Sequence, residues 1–206
     1  MKKRLLFCLI AISHTILLSA TEIKRLTINS MQDIKNLITS QTLFVLDIDD
    51  TILYDSEHSV TGLIEPTIFP RFLNKIKKKS WGTVAITARN TSTDYQLFTL
   101  EQLRHFNVDF TPFFHDDKKH TINCILLNDG NKAYYLNGVV FVQGTNKGNA
   151  LHAFLSHLPE LPENIVFVDD RPYNLDNVNT VFKNNRDFPQ LKKIILCDYP
   201  YVKNHL

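Results

Sequence analysis

The stretch Leu43-Phe44-Val45-Leu46-Asp47-Ile48-Asp49-Asp50-Thr51 joins a short apolar run directly to a cluster of acidic residues. The run has the length and the residue types of a buried strand. In open α/β sheets, ligands bind beyond the carboxyl ends of the strands. The stretch therefore predicts a buried strand that delivers Asp47 and Asp49 to a ligand site.

The same alternation of apolar runs and helical segments continues along the chain. Further strand-like runs are Thr83–Ile86, Val139–Val142, Ile165–Val168 and Ile194–Cys197. A capping box at Ser30–Asp33 indicates a helix start, and amphipathic helices are predicted around Phe72–Ile76, Thr93–Phe106, Leu151–Leu158 and Leu175–Phe182. Runs that are apolar on both faces and alternate with helices predict an α/β fold, a doubly wound parallel sheet.

Residues 121–143 depart from this alternation. Two strand-like runs and the turns Asn128-Asp129-Gly130-Asn131 and Asn137-Gly138 predict a small β-meander, whose last strand rejoins the main sheet. The segment Ile52–Trp81 is too short for a separate cap domain once a helix is deducted. With no linker-like tract in the sequence, we expect residues 21–206 to form a single domain without a large cap.

The first 20 residues have the pattern of a secretory signal peptide. Residues 2–4 are basic, Leu5–Leu18 is an apolar run, and Ser19-Ala20 provides the small residues that precede a cleavage site. Cleavage would give an exported protein, periplasmic or secreted, that makes no membrane contact after leader removal. An uncleaved N-terminal anchor is the alternative.

Composition narrows the class of protein. The chain has 206 residues, of which 44% are hydrophobic and 21% charged, as in ordinary globular proteins. Its formal charge of +2 becomes −1 without the three basic leader residues, which does not favour dedicated nucleic-acid binding. The three cysteines are too few for a disulfide framework. Cys8 lies in the leader, and Cys124 and Cys197 are either bonded to each other or buried as thiols.

Polar residues also follow the other predicted strands. Thr87 ends the second run, Asp169 and Asp170 end the fourth, and Gly144-Thr145-Asn146-Lys147-Gly148 opens the helix between them. Several carboxylates that share a small site need a compensating cation. Carboxylate and carbonyl oxygens favour a hard divalent ion, and Mg²⁺ fits best where a substrate phosphate completes its coordination.

This set of residue types suits phosphoryl transfer. Asp47 can attack phosphorus and form an aspartyl-phosphate. Asp49 can protonate the leaving oxygen and then deprotonate the attacking water. Thr87 and Lys147 can hold the phosphoryl oxygens, on which charge is stabilised in the transition state.

The order DxDxT, strand-ending Thr, helix-starting Lys and strand-ending Asp-Asp resembles the haloacid dehalogenase-like (HAD) hydrolase superfamily. The resemblance covers most of residues 42–182. It implies a HAD-like Rossmannoid core in which Asp47 is the nucleophile, Asp49 the acid/base, Thr87 the second-motif hydroxyl and Lys147 the third-motif lysine. A looser similarity links the chain to exported bacterial HAD-like proteins of undefined function.

The resemblance also implies the ligands of Mg²⁺. These are a side-chain oxygen of Asp47, the backbone carbonyl of Asp49, the carboxylate of Asp169, and Asp170 either directly or through water.

The leading hypothesis is an exported, Mg²⁺-dependent phosphatase of small-molecule or macromolecular phosphomonoesters. A non-catalytic secreted protein that keeps the HAD fold for partner binding is the alternative, and a phosphomutase is less favoured because it needs a cap against water. Lys132 is the alternative to Lys147, and His115–His120 is either a charged loop or a second metal site. The position of Asn174, one turn into the predicted helix, suggests a hydrogen bond that supports Asp170. The sequence specifies neither the physiological ester nor an oligomeric state.

Overall fold

The structure is a computed structural model that describes residues 21–55, 61–110 and 124–205. The predicted signal peptide and the His115–His120 stretch lie outside these ranges. The strands are β1 (Glu22–Thr27), β2 (Thr42–Leu46), β3 (Leu53–Asp55), β4 (Thr61–Leu63), β5 (Gly82–Thr87), β6 (Cys124–Leu126), β7 (Lys132–Leu136), β8 (Val139–Phe141), β9 (Asn164–Asp169) and β10 (Lys193–Asp198). The helices are α1 (Phe69–Lys79), α2 (Thr93–His105), α3 (Lys147–Ser156), α4 (Pro172–Phe182) and α5 (Tyr201–His205).

Eight of the described strands form one sheet in the order β1-β10-β9-β2-β5-β8-β7-β6. The pairs β1-β10, β10-β9, β9-β2, β2-β5 and β5-β8 are parallel, and the pairs β8-β7 and β7-β6 are antiparallel. The mostly parallel α/β sheet predicted from the sequence is therefore confirmed. The five apolar runs that predicted it correspond to β2, β5, β8, β9 and β10.

Helices cover both faces of the sheet, which explains why the central strands are mainly apolar on both faces. Every residue of β2 is buried. Phe44 and Leu46 pack in one core with residues of α1, whereas Leu43 and Val45 pack in a second core with residues of α3 and α4. The sheet thus separates two hydrophobic cores and holds the end of β2 between them.

Residues 124–141 form the antiparallel part of the predicted meander, and β8 pairs with β5 as expected. The turn between β7 and β8 has positive φ angles at Asn137 and Gly138, as a two-residue hairpin requires. A side chain at Gly138 would also lie 2.5 Å from Cβ of Phe110. This glycine therefore permits both the turn and the close approach of residue 110.

Some described elements were not predicted or differ in type. Strand β1, the hairpin β3-β4 and the short helix α5 were missed. Strand β1 is an edge strand with mostly exposed, partly charged residues, so it lacks the pattern of a buried strand. The capping box at Ser30 starts a single 3-10 turn, Met31–Ile34, rather than an α-helix. After this turn, the hydroxyl groups of Thr39 and Thr42 are hydrogen-bonded to each other. So short a segment does not offset the free-energy cost of helix nucleation.

The two described cysteines are both free thiols. Cys124 is exposed and Cys197 is buried. They lie on β6 and β10, strands near opposite edges of the sheet. The possible disulfide between them does not form, and burial raises the pKa of the Cys197 thiol to about 12.

Candidate active site

The predicted site residues come from neighbouring parallel strands. Asp47 directly follows β2, Thr87 ends β5, and Asp169 ends β9, and β2 lies between β5 and β9. Lys147 is the first residue of α3, whose start is capped by Asn146 through a 3.0 Å bond from the Asn149 N–H. The topology therefore places the predicted nucleophile, lysine and acids at one edge of the sheet, where α/β proteins bind ligands.

Lys147 links two of the acids. Its Nζ lies 2.6 Å from Oδ1 of Asp47 and 2.8 Å from Oδ2 of Asp169, and the lysine side chain is only 1% exposed. Burial acts to lower the pKa of Lys147, but the two carboxylates outweigh it and the pKa is raised. The ammonium group is thus a fixed, desolvated positive charge between two strand ends.

The backbone of α3 reaches this position because it packs closely on α4. A Cβ at Gly148, the residue after the lysine, would lie 2.5 Å from the backbone oxygen of Asn177. Glycine allows the two helices to approach there. The close packing sets the start of α3, and with it Lys147, against the sheet.

Asp169 is held by several donors. Nδ2 of Asn174 lies 2.9 and 3.0 Å from its two carboxylate oxygens, and the backbone N–H of Arg171 donates to Oδ1 at 2.9 Å. The prediction that Asn174 supports Asp170 is therefore wrong. The first turn of α4 places the Asn174 amide on Asp169, which leaves Asp170 without that donor.

Asp47 combines burial with strong contacts. Its Oδ1 accepts the Ile48 N–H at 2.7 Å in addition to the Lys147 ammonium. Burial raises the pKa of Asp47 to about 7, against the lowering effect of Lys147. Without further positive charge, this carboxyl therefore carries a proton for part of the time near neutral pH.

Asp170 supplies the observation that tests the fit of a cation. Its Oδ1 is buried and has no hydrogen-bond partner among the described residues. Carboxylate oxygens of Asp47, Asp169 and Asp170 all lie within 4.8 Å of one another. Burial has the largest effect on Asp170, and together with the negative charges of Asp169 and Asp50 it raises the pKa of this carboxyl to about 6. Three close carboxylates with one unpaired oxygen match the oxygen donors that Mg²⁺ prefers, so the residues fit the predicted ion.

Asp49 lies apart from this cluster. Its carboxylate, 45% exposed, pairs with Arg89 through contacts of 3.0 and 3.1 Å from Nε and 2.7 Å from Nη2. Nη1 of Arg89 also donates to Thr99 at 3.1 Å and to Gln102 at 2.5 Å on α2. The guanidinium therefore ties Asp49 to α2. The backbone carbonyl of Asp49 as a metal ligand stays a prediction.

Comparison with known proteins gives the family. A family described as "Protein of unknown function (DUF2608)" matches residues 59–192, about two thirds of the sequence. The chain belongs to this family. The matched segment of this DUF2608 chain includes Thr87, Lys147 and Asp169, and it begins after Asp47 and Asp49. The HAD resemblance rests on the motifs alone.

Two chlamydial proteins are also similar to the chain. A "Putative outer membrane protein" of Chlamydia trachomatis serovar D is 26% identical over 125 residues, which are 61% of this chain and 43% of that protein. A protein of the same name from Chlamydia muridarum is 29% identical over the same share of each chain. The DUF2608 chain therefore spans less than half the length of these relatives. No solved structure matches it significantly.

The described helices of this DUF2608 chain include none that is both long and apolar enough to span a membrane.

The remaining predicted residues have clear positions. Thr87 is fully buried, and its hydroxyl accepts the Arg89 backbone N–H at 3.3 Å. Lys132, the alternative to Lys147, lies on the exposed start of β7. Lys147 is thus the lysine that reaches the acids.

Two basic residues near the acids were not assigned from the sequence. Arg89 directly follows Thr87-Ala88, and its position beside the end of β5 was the sequence feature that could have indicated a role in the site. Nζ of Lys203, on the short helix α5, lies 3.3 Å from the backbone oxygen of Asp170. Nothing in the local sequence of the C-terminal residues indicates that they return to the site.

The replacement Asp170→Asn is expected to stabilise the metal-free protein. The folded pKa of about 6 exceeds the ordinary value of 3.8, so ionised Asp170 destabilises the fold at high pH, and this cost shrinks as the pH falls from about 6 towards 3.8. We expect a gain of about 1–3 kcal/mol near pH 8 that shrinks towards pH 5. Urea denaturation in EDTA at both pH values measures it, and an equally stable variant near pH 8 would contradict it.

Proposed function

We propose that this chain is an exported, Mg²⁺-dependent phosphomonoesterase that works through an aspartyl-phosphate on Asp47. The observation that carries the proposal is the buried Lys147 ammonium, which lies within 2.8 Å of both Asp47 and Asp169. Asp170 belongs to the same cluster and has a buried oxygen with no hydrogen-bond partner among the described residues. A fold gains little stability from such a cluster, because desolvating charges is costly. Phosphoryl transfer gives each of these groups a role.

The metal would be held by Asp47, Asp169 and Asp170, with the carbonyl of Asp49 as a further ligand. When bound, Mg²⁺ neutralises phosphate oxygens and offsets the negative charge of the three carboxylates.

The first step forms the aspartyl-phosphate. Oδ1 of Asp47 is held by Lys147 and the Ile48 N–H, and we assign the attack on phosphorus to Oδ2. A bond forms between this oxygen and phosphorus while the bond from phosphorus to the leaving oxygen breaks. Lys147 and Thr87 stabilise the phosphoryl oxygens from the edge of the sheet.

Asp49 moves the protons of both steps. As an acid it donates its proton to the leaving oxygen, and as a base it then takes a proton from the water that attacks the aspartyl-phosphate. Phosphate leaves, and the carboxylate of Asp47 is restored. In the described arrangement Asp49 is turned towards Arg89, so this role requires the Asp49 carboxyl to turn towards Asp47 when substrate enters.

Two other functions are less well supported. A secreted interaction protein does not need four ionic groups that are less than 5% exposed, since such groups cost stability. A phosphomutase would have to shield its phospho-enzyme from water, whereas the Asp49 side chain is 45% exposed. Export is supported by the leader-like sequence and agrees with the names of the two chlamydial relatives.

Hydrolysis of p-nitrophenyl phosphate tests the proposal. We expect turnover with Mg²⁺, loss of turnover with EDTA, and recovery when Mg²⁺ is restored. A rise in melting temperature with Mg²⁺ gives a second readout, since a ligand of the folded state stabilises it. The rise should be smaller near pH 5.5 than near pH 8, because carboxylate ligands must lose their protons to bind metal. Folded protein with neither turnover nor a Mg²⁺-dependent shift would exclude the phosphatase.

A further inference from the structure

We propose that the cleft beside Asp49 is the leaving-group site of the phosphatase and that it takes a planar aromatic group. The inference rests on the proposed function and specifies its substrate class as phosphomonoesters with an aromatic ring in the alcohol portion.

The cleft has a volume of about 320 Å³, at the lower end of the usual range for small-molecule sites. Its lining combines polar and aromatic side chains: Asp49, Arg89, Asn90, Tyr95, Phe98, Thr99 and Gln102. The acid that protonates a leaving oxygen must lie within hydrogen-bond reach of it. Asp49 lines this cleft in the described arrangement and needs only to turn its carboxyl towards Asp47 to act, so we place the group attached to that oxygen in the cleft.

Helix α2, which forms one wall, has an unusual burial pattern. The polar residues Gln96 and Thr99 are 8% and 0% exposed, whereas Tyr95 and Phe98 are 57% and 55% exposed. Hydrogen bonds to backbone carbonyls explain how Gln96 and Thr99 can be buried. The Gln96 side chain donates to the Thr91 carbonyl at 2.6 Å, and the Thr99 hydroxyl donates to the Tyr95 carbonyl at 2.8 Å. The sequence predicted an amphipathic helix with its apolar residues inward, and two aromatic residues instead face the cleft and solvent.

Tyr95 and Phe98 form one surface of the cleft. They are three residues apart on α2 and so lie on the same side of the helix. Arg89 contributes a planar guanidinium that Thr99 and Gln102 still hold when Asp49 turns towards Asp47. Aromatic rings and guanidinium planes both stack on flat rings. An aliphatic alcohol would leave these surfaces uncovered, whereas an aromatic ring covers them.

Leu97 provides a matched control. It lies between the two aromatic residues in sequence, is 54% exposed, and does not line the cleft. Truncation to alanine removes a similar exposed apolar side chain from the same helix. A general effect on α2 would appear in Leu97→Ala as well as in Tyr95→Ala and Phe98→Ala.

The test compares aromatic and aliphatic esters in wild type and these three variants. The aromatic substrates are phenyl phosphate, phosphotyrosine and adenosine 5′-monophosphate, which separate a ring on the leaving oxygen from a ring one sugar away. Glycerol 3-phosphate is the aliphatic reference. The ratio of kcat/KM values within each protein is compared between proteins, so that the intrinsic reactivity of each ester cancels.

We expect Phe98→Ala and Tyr95→Ala each to lower kcat/KM for phenyl phosphate by about 5- to 20-fold, mainly through KM, as loss of one stacking partner does. Turnover of glycerol 3-phosphate and both activities of Leu97→Ala should change by less than about twofold. Equal losses for both ester types, or no loss for the aromatic esters, would overturn the inference while leaving the phosphatase proposal in place.

A binding measurement keeps the inference testable if turnover is absent. Calorimetry on Asp47→Asn should show that phenyl phosphate binds more tightly than glycerol 3-phosphate, and that adding Phe98→Ala removes the difference. Absence of turnover in the wild type counts against the proposed function. Equal affinity of the two esters in Asp47→Asn counts against the aromatic site.

Discussion

Asparagine in place of Asp47 is expected to reduce metal-dependent kcat for phosphomonoesters by about 10⁴-fold or more, which is the usual scale for loss of a covalent nucleophile. The amide oxygen of the replacement side chain could still accept the Ile48 N–H that Asp47 now accepts at 2.7 Å. The amide is not a nucleophile towards phosphorus, and no aspartyl-phosphate can form. Steady-state hydrolysis with saturating Mg²⁺ measures the loss.

The variant should remain folded, which separates a chemical from a structural effect. Burial raises the pKa of Asp47 to about 7 from an ordinary value of 3.8, so the ionised carboxylate destabilises the metal-free fold above that pH, and a neutral amide removes this cost. Asp176→Asn is the matched control, because Asp176 is 64% exposed and pairs with Arg25 on the surface. Full activity in Asp47→Asn, or equal losses in both variants, would contradict the assigned nucleophile.

The sequence was informative where a buried strand ends in polar residues. Strands β2, β5 and β9 are mainly apolar on both faces because both faces are covered, and this made the polar residues at their carboxyl ends conspicuous. Asp47, Thr87 and Asp169 were found in this way. Edge strand β1 was missed because its exposed positions hold Glu22, Lys24 and Arg25, and no buried surface imposes a pattern there.

The contacts of Asp49, the proposed acid–base residue, could not be predicted in the same way. Arg89 is 40 residues from Asp49 and also bonds Thr99 and Gln102 on α2. Such a network depends on how far a helix is rotated about its axis. The sequence predicted only that α2 is amphipathic, and burial of the polar residues Gln96 and Thr99, which internal hydrogen bonds allow, departs from such a pattern. Hydrophobic periodicity contains no information about such bonds.

Replacement of Lys147 by methionine is expected to cause the largest loss of stability. The ammonium lies between Asp47 and Asp169, with all three side chains no more than 6% exposed. Removing one partner of a buried ionic cluster typically costs about 3–5 kcal/mol, because the remaining charges are desolvated and uncompensated. Methionine fills a similar volume, so the loss reports charge rather than a cavity. Urea denaturation in EDTA near pH 8 measures it.

The pH dependence and the double variant show whether the lysine acts through the acids. Protonated carboxyls need no partner, and loss of Lys147 removes an effect that lowers the pKa of Asp47. The deficit of Lys147→Met should therefore shrink as the pH falls towards about 7, because Asp47 takes up its proton at a higher pH in the variant than in the wild type. Adding Asp47→Asn should recover part of the stability, giving a coupling of about 1–3 kcal/mol in the double-mutant cycle. A deficit that is constant with pH and additive with Asp47→Asn would show that Lys147 stabilises the fold by packing alone, and the electrostatic basis of the proposed site would then be lost.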